Sequence, residues 1–169
     1  MTDFVKNQLT RKLARIKLLK REIEIDTAVR PAFSKGDGTE SNPYIIHTAA
    51  QLTKFAASVD DGTSYAGQYV KLDSDIDLSS IDNFNPIGQE DGSKGKIFAG
   101  TFDGDGHTIR GLYISKNTSD YTANYVGLFG YVGNGGKICN LTLTDSLIQT
   151  TGSNRGNYAG PFAGDAYDL

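Results

Sequence analysis

Residues 109–114 read Ile-Arg-Gly-Leu-Tyr-Ile and residues 138–143 read Ile-Cys-Asn-Leu-Thr-Leu, one pattern, I-x-[GN]-L-x-[IL], met twice at an offset of 29. A second pair, Tyr-Val-Gly-Leu-Phe-Gly at 125–130 and Tyr-Ala-Gly-Pro-Phe with Gly164 at 158–164, returns about 33 residues on. A period near 30, carried by short apolar runs with Gly and Asn between them, is the mark of a solenoid. No coil of this length can bury its apolar side alone, so each stacks on the next. The residues expected to point inward are Ile109, Leu112, Ile114, Val126, Leu128, Phe129, Val132, Ile138, Leu141, Leu143 and Ile148. Burying one Leu or Ile contributes roughly 1.5–3 kcal/mol, so several per coil offset the ordering cost of the glycine corners.

Working outward, the other runs agree. Val70, Leu72, Ile76 and Leu78 alternate with polar residues as in a half-buried strand. Phe98 to Phe102 reads as another strand, closed by the tight turn Asp103-Gly-Asp-Gly106. Pro43 to His47 is a short strand. Thr48 with Gln51 three residues later forms a capping box, and Ala49, Leu52, Phe55, Ala56 and Val59 make one apolar stripe behind it. A helix over 48–59 is predicted, ending at Asp61-Gly62. It would cover an open sheet edge that otherwise invites uncontrolled pairing. The fold class expected is mainly β: a right-handed parallel β-helix with an N-terminal capping helix, occupying 43–169. Residues 158–169 begin a fresh repeat, so a chain truncated at its C-terminus is expected.

Residues 1–30 are of another kind. Phe4, Val5, Leu9, Leu13, Ile16, Leu19 and Ile23 fall at helical spacing. Leu9, Ile16 and Ile23 lie seven apart, and Val5 and Leu19 share the second seam, which Lys12 and Asp26 interrupt. Thr2 or Asp3 can cap the helix and Pro31 ends it. Residues 1–30 hold eight Lys/Arg against four Asp/Glu, while 31–169 hold nine against sixteen: net +4 beside net −7. Residues 31–42 are a Gly/Ser/Asp linker. The basic amphipathic helix is expected to anchor or oligomerise the chain through Val5, Leu9, Leu13, Ile16, Leu19 and Ile23. The partner would be itself, a trimer by analogy, or a virion protein. Arg11, Lys12, Arg15, Lys17, Lys20 and Arg21 would orient that docking, in preference to contacting nucleic acid or a membrane surface.

Several chemistries lack their residues. No stretch could span a membrane, and Met1-Thr-Asp does not begin a signal peptide. No H-E-x-x-H accompanies His47 and His107, the two histidines. Asp73, Asp75 and Asp77 alternate and could gather a cation on one strand face, but an EF-hand's sixth and twelfth positions fall on Leu78 and Phe84. Asp103 and Asp105 could be paired carboxylates of a polysaccharide-cleaving enzyme, but both sit in one polar turn, where acid–base work needs unlike settings. Gly133-Asn-Gly-Gly136 is a turn, since no helix pattern follows it. Thr142 and Thr144 make one outward pair and no array. Cys139, the lone cysteine, is expected to be a small buried residue beside Ile138. No catalytic, cofactor-binding or metal residue is assigned, and no cofactor is expected.

The stretch 36–59 (GDGTESNPYIIHTAAQLTKFAASV), then YVKLDSDIDLSS, NPIG, FAGTFDGDGHTIRGLYI and GLFGYVGNGGKICNLTLTDSLI, resembles the GLUG-repeat β-solenoid domains of bacterial surface proteins. The likeness covers about residues 36–164, departs at Pro161 and leaves residues 1–30 out. It implies a module that acts as spacer or adhesive surface, as in adhesins and the non-catalytic parts of some IgA-cleaving metalloproteases. Three functions follow as expectations. The first is a non-catalytic fibre component of a bacteriophage virion, released by lysis and projecting towards a host surface glycan or protein. The second is a secreted bacterial cell-surface adhesin module. The third is a polysaccharide-active solenoid enzyme. The expected location is the virion or the cell exterior.

Overall fold

A computed structural model of the protein describes residues 12–18, 32–89, 96–117, 125–133, 135–151 and 158–167. The chain divides into two compact units, Met1–Pro31 and Ala32–Leu169. In the first, residues 12–18 are helical and exposed. Among the described residues no helix is long and apolar enough to cross a membrane.

Among its described residues the second unit is mainly β, with one helix, Ala49–Asp60. That helix starts where its cap predicts. The Gln51 N–H donates to Thr48 Oγ1 at 3.2 Å, and Gln51 Oε1 accepts from the Thr48 and His47 N–H groups at 3.2 and 2.8 Å. Leu52, Phe55, Ala56 and Val59 are buried on one side of it.

Among the described residues thirteen strands follow the order β1 (Tyr44–Ile46), β2 (Tyr69–Leu72), β3 (Ile76–Asp77), β4 (Thr101–Asp103), β5 (Thr108–Arg110), β6 (Tyr113–Asn117) and β7 (Tyr125–Val126). They continue as β8 (Phe129–Gly133), β9 (Lys137–Cys139), β10 (Thr142–Thr144), β11 (Leu147–Thr151), β12 (Tyr158–Ala159) and β13 (Ala163–Tyr167). Every pairing between these strands is parallel, and all but β1 with β2 skip over intervening strands. The sheets are small: β1-β2-β4-β9, β10-β5-β3, and the pairs β11-β6, β12-β7 and β13-β8.

Register sorts the inward residues into columns. Val70, Phe102 and Ile138 share one, Ile76, Ile109 and Leu143 a second, and Ile114 and Ile148 a third. The bridges Ile87 to Phe129 and Phe98 to Val132 extend the pattern. Five phenylalanines, Phe55, Phe84, Phe98, Phe102 and Phe129, are fully buried. Phe55 carries the helix onto the strands, stacked on Phe102 with ring centres 5.9 Å apart.

Four expectations change. The offset of 29 does not superpose: Ile109 pairs with Leu143 and Ile114 with Ile148, both 34 residues on. Ile138 instead lies beside Phe102. The two six-residue matches are corners, not layers. Each carries a left-handed residue third, Gly111 at φ +69° and Asn140 at φ +53°. Second, Val70 to Leu78 is not one strand. Asp73 to Asp75 turn a corner, so β2 and β3 belong to different sheets. Third, Tyr158 and Ala159 pair as expected with Tyr125 and Val126, but Ala163, not Phe162, sits beside Phe129. One extra residue around Pro161 pushes Phe162 outward, 39% exposed. Fourth, Ile138, Leu141, Leu143 and Ile148 are only partly buried, packed against the core from its last described layer.

Candidate functional site

Of the expected docking seam, Leu13 and Ile16 lie in the helical stretch 12–18, half exposed. Val5, Leu9, Leu19 and Ile23 lie outside the described residues.

The three alternating aspartates do not converge. Each reaches a neighbouring layer separately. Asp73 pairs with His47 Nδ1 at 2.7 Å, Asp75 with His107 Nδ1 at 3.2 Å, and Asp77 with the Arg110 guanidinium at 2.5 Å. The corner between β2 and β3 separates Asp73 from Asp77, so no single strand face holds all three. Asp75 also accepts the Thr108 N–H at 2.9 Å, which holds its carboxyl below the ordinary range. Asp77 is held low in the same way by Ser79, with Arg110 adding to it. Among the described residues no three His, Cys, Asp or Glu side chains gather.

Asp103 ends β4 and Asp105 lies in the turn after it. Partial burial alone would raise the Asp103 carboxyl. The Asp105 N–H, the Asn140 amide and the Lys71 ammonium outweigh it and bring the group below its ordinary range. The Asp105 N–H and Asn140 Nδ2 both donate to Asp103 Oδ1 at 2.9 Å. Asp105 pairs with Lys71 Nζ at 2.9 Å. A general acid needs a carboxyl raised in an apolar setting; Asp103 is the reverse.

Cys139 is not inward. Its register partner is Asp103, on the outer side of β4, and its Sγ lies 3.8 Å from the Phe102 carbonyl. Partial burial, then the nearby Asp103 charge, push the thiol upward, so it stays protonated and unreactive.

The outer face of β2-β4-β9 carries two rows set by register. Tyr69, Thr101 and Lys137 form the first, and Lys71, Asp103 and Cys139 the second. Glu40, Ser41, Pro43 and Asn140 join these rows in lining a trough of about 440 Å³. Sequence reading missed this trough because its residues come from four separated stretches. Their outward alternation on β2, β4 and β9 was the available signal.

No family model matches the chain. It is 36% identical over 124 residues to a protein of Evansella cellulosilytica provisionally named a Gly-rich membrane protein. The match covers 72% of this chain and 13% of that protein. It is 33% identical over 131 residues to halomucin of Haloquadratum walsbyi, covering 73% of this chain and 1% of halomucin. The chain thus spans a small part of the length of the curated relatives it matches. A crystal structure of a provisionally named immunoglobulin A1 protease from Bacteroides ovatus superposes with a TM-score of 0.39 at 28% identity. That covers 63% of this chain and 30% of the other, and a likeness at this score bears on neither fold nor activity.

Proposed function

We propose that residues 32–169 belong to a right-handed parallel β-solenoid of the GLUG-repeat type, serving as a non-catalytic scaffold and adhesive module of a cell-surface protein. The observation that carries this reading is the column register. Apolar side chains from successive layers are spent on one another, while polar pairs occupy the outside. Short parallel strands joined by crossover segments wind right-handed in nearly all proteins. The sequence likeness to a Gly-rich membrane protein and to halomucin supports the surface setting. Neither relative's name speaks for a virion fibre, and the surface module is the reading preferred. Asp103 and Asp105 are engaged by Asn140 and Lys71, a use of both carboxylates within the fold that supports scaffold over hydrolase. Antibody labelling of intact producing cells tests the reading. Signal on unbroken cells is expected, and signal only after lysis overturns it.

The basic N-terminal helix is proposed to self-associate along Val5, Leu9, Leu13, Ile16, Leu19 and Ile23. Leu9→Asp combined with Ile16→Asp in the full chain is expected to lower the light-scattering mass to that of one chain. An unchanged mass overturns it.

A further inference from the structure

We infer that the trough on β2-β4-β9 is a binding site for a neutral polysaccharide strand laid across the three β-strands. The inference rests on reading the unit as a surface module and names the ligand class it would hold.

The shape comes first. Parallel strands about 4.8 Å apart make a flat floor roughly 10 Å across. Glu40, Ser41, Pro43 and Asn140 add to the lining beside the three strands. A folded peptide or a planar cofactor would need deeper walls, whereas an extended chain of rings can lie along such a floor.

Its chemistry alternates as a sugar's surface does. Tyr69 offers a half-buried ring, apolar on its face and polar at its tip, against which the C–H face of a pyranose can pack. One strand over, Asp103 offers an ionised acceptor. The Asp105 N–H and the Asn140 amide fix it through Oδ1, with the Cys139 thiol beside it, so the carboxylate is held in place on the floor. Lys71, itself steadied by Asp105, and Lys137 supply donors at the second and fourth strands of the sheet. Because Asp103 and Lys71 are tied down before any ligand arrives, little side-chain ordering is left to oppose binding.

Charge selects among glycans. Lys71 and Lys137 balance Glu40 and Asp103 in the lining. Residues 31–169 as a whole carry net −7. A polyanion such as a uronate polymer meets a repelling field with no surplus of cations to receive it. A neutral, hydroxyl-rich strand meets donors, acceptors and an aromatic face at no electrostatic cost.

The test is affinity electrophoresis of the full chain against neutral polysaccharides (a β-glucan, an α-glucan and a mannan), with polygalacturonate as the charged comparison. Retardation by at least one neutral polymer is expected. Tyr69→Ala and Lys137→Ala should each weaken it at least tenfold, while Arg110→Ala, outside the trough, leaves it unchanged. Lys137 is exposed on an edge strand, so its replacement separates lost binding from lost folding, and matched melting curves check Tyr69→Ala. Undiminished binding in both variants, tighter binding of polygalacturonate, or no binding of any neutral polymer overturns the inference. Labelling of intact cells, which neither substitution alters, decides the surface reading separately.

Discussion

The middle and the last described layers are built on the same columns and differ in what lies on either side of them. Ile109 and Phe102, with a layer on each side, are fully buried. Leu143 and Ile138, one layer further along those columns, are only partly buried. Inward residues also shrink there: Phe129 is followed by Ala163 and Val126 by Ala159. Ile138, Leu141 and Phe162 border an open hollow of about 240 Å³. At the other end the helix Ala49–Asp60 fills that role, its Phe55 ring stacked on Phe102. Burial in this architecture is thus a property of a residue's two neighbours in a column more than of its own hydrophobicity.

The sharpest way to break the comparison is Ile109→Ala against Leu143→Ala. Loss of a fully buried Ile should cost about 3–4 kcal/mol, and the half-buried Leu about half as much. Urea unfolding of the full chain checks this, and equal costs would mean the last layer is as well covered as the middle. Next come two glycines in one corner. A Cβ on Gly104 would meet the Asn140 carbonyl oxygen at 2.5 Å and Leu141 Cα at 2.7 Å, backbone of the next layer. A Cβ on Gly106 would meet nothing, and only its φ of +81° resists. Gly104→Ala should therefore lower the melting temperature well beyond Gly106→Ala, whose cost is about 1 kcal/mol.

Charge contrasts the ends in a third way. Asp60 ends the helix, where the backbone dipole already disfavours an anion. Burial raises its carboxyl, although Asn85 and Gln89 donate to Oδ2 and lower it in part. Its Oδ1 is buried and meets no donor among the described residues. A raised folded-state pKa contributes stability that is present at low pH and is lost as pH rises through it. A lowered one, as at Asp103, contributes stability present above the ordinary carboxylate range, and that is lost as pH falls. Above about pH 4, the ordinary carboxylate range, the margin of wild type over Asp60→Asn should shrink as pH rises. Below about pH 4 the margin over Asp103→Asn should shrink as pH falls. Urea midpoints across that range test both signs. The smallest effect is expected from Arg110→Ala. Both partners of the Arg110–Asp77 pair are exposed, and a barely detectable shift in thermal melts, fading with salt, is expected.

Much of this was legible in the sequence. Thr48 and Gln51 announced the helix because a capping box is local chemistry. Val70, Leu72, Ile76 and Leu78 are all buried, as their alternation implied, although a corner divides them. Phe84, Phe98 and Phe102 were not marked as inward, since their columns exist only once register is known. Register itself could not be read from spacing. The corner from β4 to β5 uses four residues, Gly104 to His107, and its counterpart from β9 to β10 uses two, Asn140 and Leu141. Corner residues recur more faithfully than layer lengths, so the eye aligned Gly111 with Asn140, one corner out of step. The trough was illegible for a related reason: Tyr69, Thr101 and Lys137 are 32 and 36 residues apart and share no local motif.

That two-residue difference between equivalent corners has an engineering consequence. The columns stay aligned on either side of it, so length is absorbed at the bend and never transmitted to the core. Peptides inserted between Asp105 and Gly106, both exposed, would be displayed on the exterior like pages tabbed at one edge, leaving the binding of the stack undisturbed.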